Sequence, residues 1–458
     1  MAPRPLSFKF EQTDDVDDKL TAWSGLTLVY EALQALGVAD SVRRHVKVIR
    51  GRKNLEFDEF DHVAAFVMLL AAGGECFEDL RFLREDVALS RLLEARFPSP
   101  ETARQFLYLF HEDRFIEEAQ QRLPGNRKAY VPEESAPLRA LDDVSKELVD
   151  EIQRRSPITK ATLDVDGTFQ ASNKKEAKEH YEAGRGYNAL LATWVEQRLV
   201  VFDQLRDGNV PDGVDALDAL KWMFARLPTT VRERYMRADT ALYQLDVLRW
   251  LLAEGIQFAI GAHMREGLRE ACAALPEEKW EHLDTRPQSL LHVSEVSYQP
   301  KDWSARDGSL RFIVIRTTDN QGELFGDATY HAVVTTRPGT PAEIAKWYWA
   351  KGGTIEHVHT ALKHELGVGV FPCGRFGANA TWLRLNVLTF NLLEAIRRIA
   401  PEEFKDAKPK RLRLGLFAIP AIVVNHARRV VARVATCARR LLASRIELWK
   451  PRLEPAQA

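Results

Sequence analysis

The sequence predicts a multi-domain α/β protein with an all-helical N-terminal part, a central mixed β-sheet covered by helices, and a basic helical C-terminal part. Its 458 residues are about three times a typical domain length, so two or three domains are expected. Apolar residues recur at helical spacing through the first 150 positions, whereas runs typical of β-strands begin at position 162. A content of 45% hydrophobic and 28% charged residues excludes a collagen-like, disulfide-dense or disordered chain.

Residues 1–155 are predicted to form a helical domain. Apolar residues recur at helical spacing over 16–36 and stop at Gly37, a typical helix end. Ser99 and Pro100 form an N-cap followed by proline at the first helical position. Further helices are expected over 57–72, 78–95 and 101–110.

Residues 156–400 are predicted to form a second domain around a mixed sheet. The expected order is strands 162–165, 187–195 and 199–205, helix 214–226, strand 235–238, helix 242–253 and strand 256–260. This β-β-β-α-β-α-β order is the ribonuclease-H-like arrangement, which normally ends with one more helix. Three β-rich runs over 288–336 come first, and they predict an inserted β-subdomain at about 284–338. The final helix is predicted to begin near Thr340 and to be kinked or interrupted at Gly352 and Gly353.

Cysteine usage and hydropathy exclude several classes of protein. The four cysteines are far apart and form no Cys-x-x-Cys pair, so neither a disulfide framework nor a thiolate zinc site is indicated: Cys76, Cys272, Cys373 and Cys437. The longest uncharged apolar stretch, 63–72, is too short to cross a bilayer, and the N-terminus does not resemble a signal peptide. A cytoplasmic location is therefore expected.

The net charge of −1 hides an uneven distribution. Residues 401–458 carry 13 Lys and Arg against 5 Asp and Glu, a local balance of +8. Within them, arginines recur among apolar residues at helical spacing over 421–446, which predicts a helix. Such a basic segment makes nucleic acid a candidate partner, whereas the alternative is a solvated surface helix whose arginine stems cover apolar surface.

Acidic residues occupy strand ends in the predicted sheet. Asp164 and Asp166 lie on one face of the first strand, and Asp239 ends a later strand. On the final helix, Glu356 and Lys363 are seven residues apart and share a face. Three carboxylates without cysteine suit a hard cation such as Mg²⁺ or Mn²⁺. The chain contains 65 acidic residues, so the spacing alone does not distinguish a metal site from chance.

Several segments together resemble insertion-sequence transposases of the D-D-E class, closest to the group numbered thirteen-eighty. The segments are 163–168 for the first aspartate, 237–240 for the second, 355–363 for the glutamate helix, and 382–386 with 390–393 for the helix that follows. The resemblance implies that Asp166 is the first catalytic carboxylate, with Asp164 in reserve. It also implies catalytic roles for Asp239, Glu356 and Lys363, with the lysine facing phosphate.

The glutamate helix departs from the family signature of tyrosine, arginine, glutamate and lysine. Trp349 occupies the tyrosine position and Gly352 the arginine position, with Lys351 one residue early. A displaced lysine can contact a DNA phosphate as a point charge, but it cannot reproduce a bidentate arginine fork.

The resemblance implies a DNA transposase that uses two Mg²⁺ or Mn²⁺ ions per active site to cut element ends and join them to target DNA. It further implies a homodimer on DNA, association with the bacterial nucleoid in that state, and a role for residues 1–155 in end recognition or dimerisation. The expected DNA contacts are Lys351, Lys363, Trp303, Arg185, Arg428 and Arg429. Structural alternatives remain for Trp303, which could cover a sheet face, and for Arg185, which could belong to a solvated hairpin loop. The alternative functions are a metal-dependent nuclease without strand transfer and an inactive DNA-binding relative.

Overall fold

The computed structural model describes residues 18–49, 56–123, 129–180, 184–319, 328–436 and 438. Its N-terminal part is helical, as predicted, apart from the short strand β1 (Leu20–Thr21). The helices are α1 Thr27–Ala35, α2 Val38–His45, α3 Glu59–Ala72, α4 Leu80–Glu85, α5 Val87–Leu93, α6 Pro100–Tyr108, α7 Asp113–Gln121 and α8 Ala136–Arg155. The predicted cap is confirmed: the Ser99 side chain accepts a hydrogen bond from Thr102 N, and Pro100 opens α6.

The middle of the chain forms a large mixed sheet flanked by helices. Its first part contains β2 Lys160–Ala171, β3 Lys178–His180, β4 Gly184–Trp194, β5 Leu199–Asp207, α9 Ala216–Ala225, β6 Glu233–Ala238, α10 Leu245–Ala253, β7 Gln257–Ala262 and α11 Glu266–Ala273. The strands lie in the order β5-β4-β2-β6-β7, with β4 antiparallel to both of its neighbours and β2, β6 and β7 mutually parallel. The five principal predicted strands are therefore present, and they follow one another along the chain in the predicted order.

The predicted insertion does not fold as a separate sheet. Its strands are β8 Glu281–Arg286, β9 Ser289–Val296, β10 Arg311–Asp319 and β11 Thr329–Thr335. β11 pairs antiparallel with β7, and β10, β9 and β8 follow it, so the four strands extend the central sheet. A second apolar cluster covers this extension, where Leu291 and Ile313 pack with Ile344 and Ala345 from the next helix.

That helix, α12 (Pro341–His364), runs without a break, so the predicted interruption at Gly352 and Gly353 is wrong. Each glycine costs a helix about 1 kcal/mol relative to alanine. Buried residues on both sides of the pair, Ile344 before it and Ile355 after it, hold the helix against the sheet. Tertiary packing thus outweighs the local propensity.

Helix α13 (Phe376–Ile399) is buried along almost its whole length and lies between the N-terminal helices and β5. Arg384 on this helix forms fully buried ion pairs with Glu134, 2.9 Å away, and Asp203 of β5, 3.1 Å away. One continuous apolar cluster runs from the N-terminal helices into the sheet.

The C-terminal region corrects the prediction of a helix over 421–446. After α14 (Pro409–Leu412) and a π-helical turn, β12 (Ala421–His426) and β13 (Arg429–Val434) form an antiparallel hairpin, and β12 also pairs with β1. The β-branched residues along the strands (Ile422, Val423, Val424, Val430, Val431 and Val434) favour a sheet, and the arginine spacing concealed this pattern. Arg439, Arg440 and Arg445 lie outside the described residues.

Within the described part of the chain, no helix is both long and apolar enough to span a bilayer. Cys76, Cys272 and Cys373 are free thiols, as expected from their spacing, and Cys437 lies outside the described residues.

Candidate active site

Three aspartates converge at the carboxyl edge of the sheet. Asp166, Asp212 and Asp239 each place one carboxylate oxygen within 4.8 Å of the others, and all three are partly buried. In the described ranges, this is the one group of three or more such side chains with metal-ligand spacing. The sequence predicted two of its members, and the third was missed.

The register of parallel strands β2 and β6 brings Asp166 and Asp239 together. Val165 lies beside Ala238, so each aspartate is the next residue on its own strand. Asp239 then caps a short 3₁₀ turn, and its side chain accepts a hydrogen bond of 3.0 Å from Ala241 N. The backbone therefore fixes both carboxylates at one point of the edge.

Asp212 enters the cluster from the loop that follows β5. Its carboxylate accepts a hydrogen bond of 2.7 Å from the Asn188 side chain. The buried Arg206 guanidinium donates to the backbone carbonyls of Pro211, Asp212 and Val214 and so fixes the loop. A Cβ atom at Gly167 would lie 2.1 Å from both oxygens of Asp212, so only glycine permits this approach.

In the sequence, Asp212 is part of Pro211-Asp212-Gly213, which is typical of a turn. The signal that could have identified it is its position in the loop after a strand of a mixed sheet, a region where functional side chains collect.

The electrostatic environment disfavours the charged forms of all three carboxylates. Burial raises the pKa of Asp166, Asp212 and Asp239, and the negative charge of a neighbouring aspartate raises each pKa further. The Lys351 ammonium acts in the opposite direction on the pKa of Asp166 and Asp239. Clustered carboxylates of this kind suit a divalent cation with oxygen ligands.

Lys351, predicted as a DNA contact, points at the cluster instead. Its Nζ lies 3.1 Å from Asp166 Oδ2, and only 12% of the side chain is exposed. The displaced lysine of the family signature therefore serves as a counter-ion to the carboxylates in this structure.

Asp164, the reserve candidate, has a structural role and is outside the cluster. Its fully buried carboxylate accepts hydrogen bonds of 2.6 and 2.8 Å from the Arg237 guanidinium and a third from the Thr354 hydroxyl. Arg237 also donates to the Trp347 carbonyl, 2.6 Å away. These contacts fasten α12 to the face of β2 and β6 that carries Asp164 and Asp166.

Glu356 does not join the three aspartates, since its side chain is exposed on α12. A Cβ atom at Gly352 would lie 3.3 Å from Glu356 Oε1, so the glutamate extends beside the glycine at the family's arginine position. Lys363 Nζ donates a 2.6 Å hydrogen bond to the Phe169 carbonyl of β2. The helix thus follows β2 past Asp166, with Glu356 between two lysines that contact this strand.

Two aromatic residues occupy the family's tyrosine region of α12. Trp349 packs against the sheet extension, and the Arg286 guanidinium lies 5.2 Å from its ring centre. Tyr348 lies on the side of the carboxylates: burial, with the charges of Asp239 and Asp166, raises its pKa to about 12. The tyrosine hydroxyl is therefore a neutral hydrogen-bond donor beside the cluster at neutral pH.

The remaining predicted DNA contacts are not gathered at this site. Trp303 is buried at 6% exposure, and its indole N–H donates to the Gly308 carbonyl, so the prediction of an accessible stacking face is wrong. Arg185, on β4, donates to the carbonyls of Lys175 and Ala177 in the segment between β2 and β3. Arg428 and Arg429 lie exposed at the tip of the β12–β13 hairpin.

The sheet, its helices and the carboxylate cluster describe a mixed α/β protein with a candidate cation site at a strand edge. The chain belongs to the transposase DDE domain family, group 1, whose model matches residues 14–445. The family comprises enzymes that cleave and transfer DNA. The more specific thirteen-eighty group is not distinguished by this match.

Among solved structures, the chain is similar to piggyBac transposase in a cryo-EM structure of its synaptic complex with hairpin DNA. The two are 12% identical with a TM-score of 0.46, and the match covers 84% of this chain and 80% of the other. No protein with a curated description matches the chain.

Proposed function

We propose that this transposase cuts the ends of an insertion sequence and joins them to target DNA, with Asp166, Asp239 and Glu356 as metal ligands. The observation that carries the proposal is the convergence of Asp166 and Asp239 on adjacent parallel strands, beneath a helix that bears Glu356. Membership in the DDE family supports the reaction class. The resemblance of the segments around these residues favours the thirteen-eighty group.

The donor set fits two Mg²⁺ or Mn²⁺ ions. Oxygen ligands from clustered carboxylates match the preference of these hard cations, and the mutual repulsion of the aspartates favours a cation between them. When bound, two such ions activate a water or 3′-hydroxyl and stabilise the leaving oxygen of an in-line phosphoryl transfer.

Other residues of the chain orient these ligands and the neighbouring Asp212. Asn188 holds the Asp212 carboxylate, and Ala241 N holds that of Asp239. The Arg237–Asp164 ion pair keeps α12 against β2, which sets the distance between the Glu356 backbone and the aspartates. Lys363, which is half-buried near the end of β2, is the residue proposed to face a DNA phosphate.

The test is an assay with labelled element ends and a supercoiled target in Mg²⁺ or Mn²⁺. Cleaved ends and joined products are expected from the wild type, and neither is expected from Asp239→Asn. Cleavage without joined products would instead indicate a nuclease, and unchanged cleavage by the variant would overturn the proposed site. Sedimentation of the protein with and without DNA ends tests the proposed homodimer.

A second candidate is a DNA-binding relative that lacks catalysis. It is favoured by Gly352 at the family's arginine position and by the exposed position of Glu356 outside the aspartate cluster. Binding to element ends without cleavage in either metal, at any protein concentration, would select this candidate.

A further inference from the structure

The C-terminal hairpin presents an open sheet face that combines arginine with apolar side chains. In the antiparallel register, Arg433 lies opposite Ile422, Val431 opposite Val424, and Arg429 opposite His426. Cross-strand partners point to the same side of a sheet, so all six side chains share one face.

The other face of the hairpin is covered by the protein. Ala421 and Val423 are buried, and both strands pack against α5. Asn425, on the same side, accepts a hydrogen bond from Arg91 of this helix. The covered face fixes the orientation of the hairpin, so the arginine-bearing face is directed away from the protein.

The open face remains accessible along its length. Ile422 is 45% exposed, Val431 is 36% exposed, and Leu20, which extends the face from β1, is 50% exposed. Arg429 and Arg433 are exposed, and neither makes an ion pair with any side chain in the described residues. Isolated exposed apolar residues are common, but a contiguous set framed by cations is typical of an interaction surface.

The positive charge of the segment favours a polyanionic partner. Residues 407–446 contain no aspartate or glutamate, and Arg428 at the tip adds a further cation. A second copy of the same face would bring like charges together, which disfavours self-association through it. A polyanion supplies the negative charge that pairs with the arginines and that the segment itself lacks.

We propose that the β12–β13 hairpin docks in the major groove of duplex DNA, with its outer, two-stranded part entering the groove and its base, where β12 also pairs with β1, lying at the groove edge. This inference rests on the proposed function and gives the DNA a contact surface separate from the carboxylate cluster. Arg429 and Arg433 are four residues apart, or about 13 Å along a strand. The major groove is about 12 Å wide and admits a two-stranded ribbon.

The local backbone supports a projecting ribbon. Ala427 and Arg428, the two turn residues, have φ values of 48° and 62°. Left-handed conformations at both positions characterise the turns whose twist matches that of paired strands. The turn therefore continues the ribbon to its tip and presents Arg428 at the end.

The test measures binding of full-length protein to a fluorescent duplex by anisotropy, in EDTA, over a series of salt concentrations. Arg429→Gln/Arg433→Gln is expected to weaken binding by at least tenfold at low salt. Because each lost phosphate contact changes the log–log salt slope by about 0.9, the double variant should flatten the slope by about 1.8. The control is Arg139→Gln/Arg232→Gln, which removes two exposed arginines from other elements and should retain the wild-type slope.

The outcomes separate this inference from the proposed function. Wild-type affinity and slope in the ribbon variant, alongside normal cleavage by the wild type, would overturn the ribbon and leave the function intact. A wild type that binds no duplex would overturn both. If the ribbon variant instead changes the sedimentation coefficient without DNA, the face is an interface between two copies, and the inference is wrong. Unchanged circular dichroism and thermal melting of the variant establish that it is folded.

Discussion

The strand-borne and helix-borne halves of the candidate site are determined by different kinds of structure. Asp166 and Asp239 follow residues paired in a parallel ladder, so the hydrogen-bond register places their carboxylates together. Glu356 is held only through the packing of α12, and its side chain remains exposed. The sheet therefore positions its half of the site through strand pairing, whereas the position of the Glu356 carboxylate depends on the packing of α12 and on side-chain rotation.

The largest effect that tests this comparison is expected from the strand half. Asp239→Asn should reduce DNA cleavage by about a thousandfold, since metal-dependent charge stabilisation contributes several kcal/mol. Cleavage rates of labelled ends in Mg²⁺ provide the measurement. Asp218→Asn, at an exposed site on α9, is the matched control and should retain the wild-type rate.

The attachment of α12 to the strands gives the next largest effect. Asp164→Asn should lower the free energy of unfolding by about 3 kcal/mol, because breaking a buried ion pair leaves Arg237 without its charged partner. Urea denaturation measures this change. Loss of cleavage without loss of stability would show that Asp164 acts in the reaction, contrary to its assignment.

The effects of substituting Glu356 and Asp212 can be compared to decide which of these carboxylates is a metal ligand. Glu356→Gln is expected to reduce cleavage by about a hundredfold, because Glu356 is proposed as a metal ligand. Asp212→Asn is expected to reduce it by about tenfold, because Asp212 is expected to act on the metal through the neighbouring ligands. Titration with Mn²⁺ should show weakened binding in both variants. The reverse ranking would mean that the three strand-edge aspartates are sufficient and that the helix glutamate is not a ligand.

The smallest expected effect concerns Lys351, which connects the two halves. Lys351→Met removes the positive charge 3.1 Å from Asp166 and should lower the melting temperature of the metal-free protein. The same change should raise Mg²⁺ affinity severalfold, because the ammonium no longer competes for the carboxylates. Calorimetry of metal binding measures this, with Lys363→Met as the control, since Lys363 contacts a backbone carbonyl instead. Equal metal affinity in wild type and Lys351→Met would show that the lysine is no competitor.

Sequence patterns predicted the parts of the fold that follow from periodicity and strand order. The sequence order of the five core strands and the location of Asp166 and Asp239 on or next to two of them could be predicted, because side-chain alternation along a strand is a local property. Asp212 was missed, because its place in the cluster depends on the missing side chain at Gly167 and on the hydrogen bond from Asn188, both on other strands. These are tertiary contacts without a spacing signature.

The errors have the same origin. The arginines of 421–446 suggested a helix, but pairing of β12 with β1, about 400 positions away in sequence, stabilises strands there. Trp303 resembled an exposed aromatic in an insertion, although its indole is enclosed by its own loop. The local sequence pattern indicates only the propensity of a segment for helix or strand. Where the two are close in energy, long-range strand pairing decides between them.

Helix α13 has a practical implication for dividing the molecule. Its buried surface faces the N-terminal helices on one side and β5 on the other, with Arg384 neutralised by an acidic residue from each. A fragment beginning near position 156 would expose much of this surface to water and would leave Arg384 with Asp203 but without Glu134. Expressing residues 156–458 alone should thus yield aggregates, and co-expressing residues 1–155 as a separate polypeptide should restore solubility by supplying the missing half.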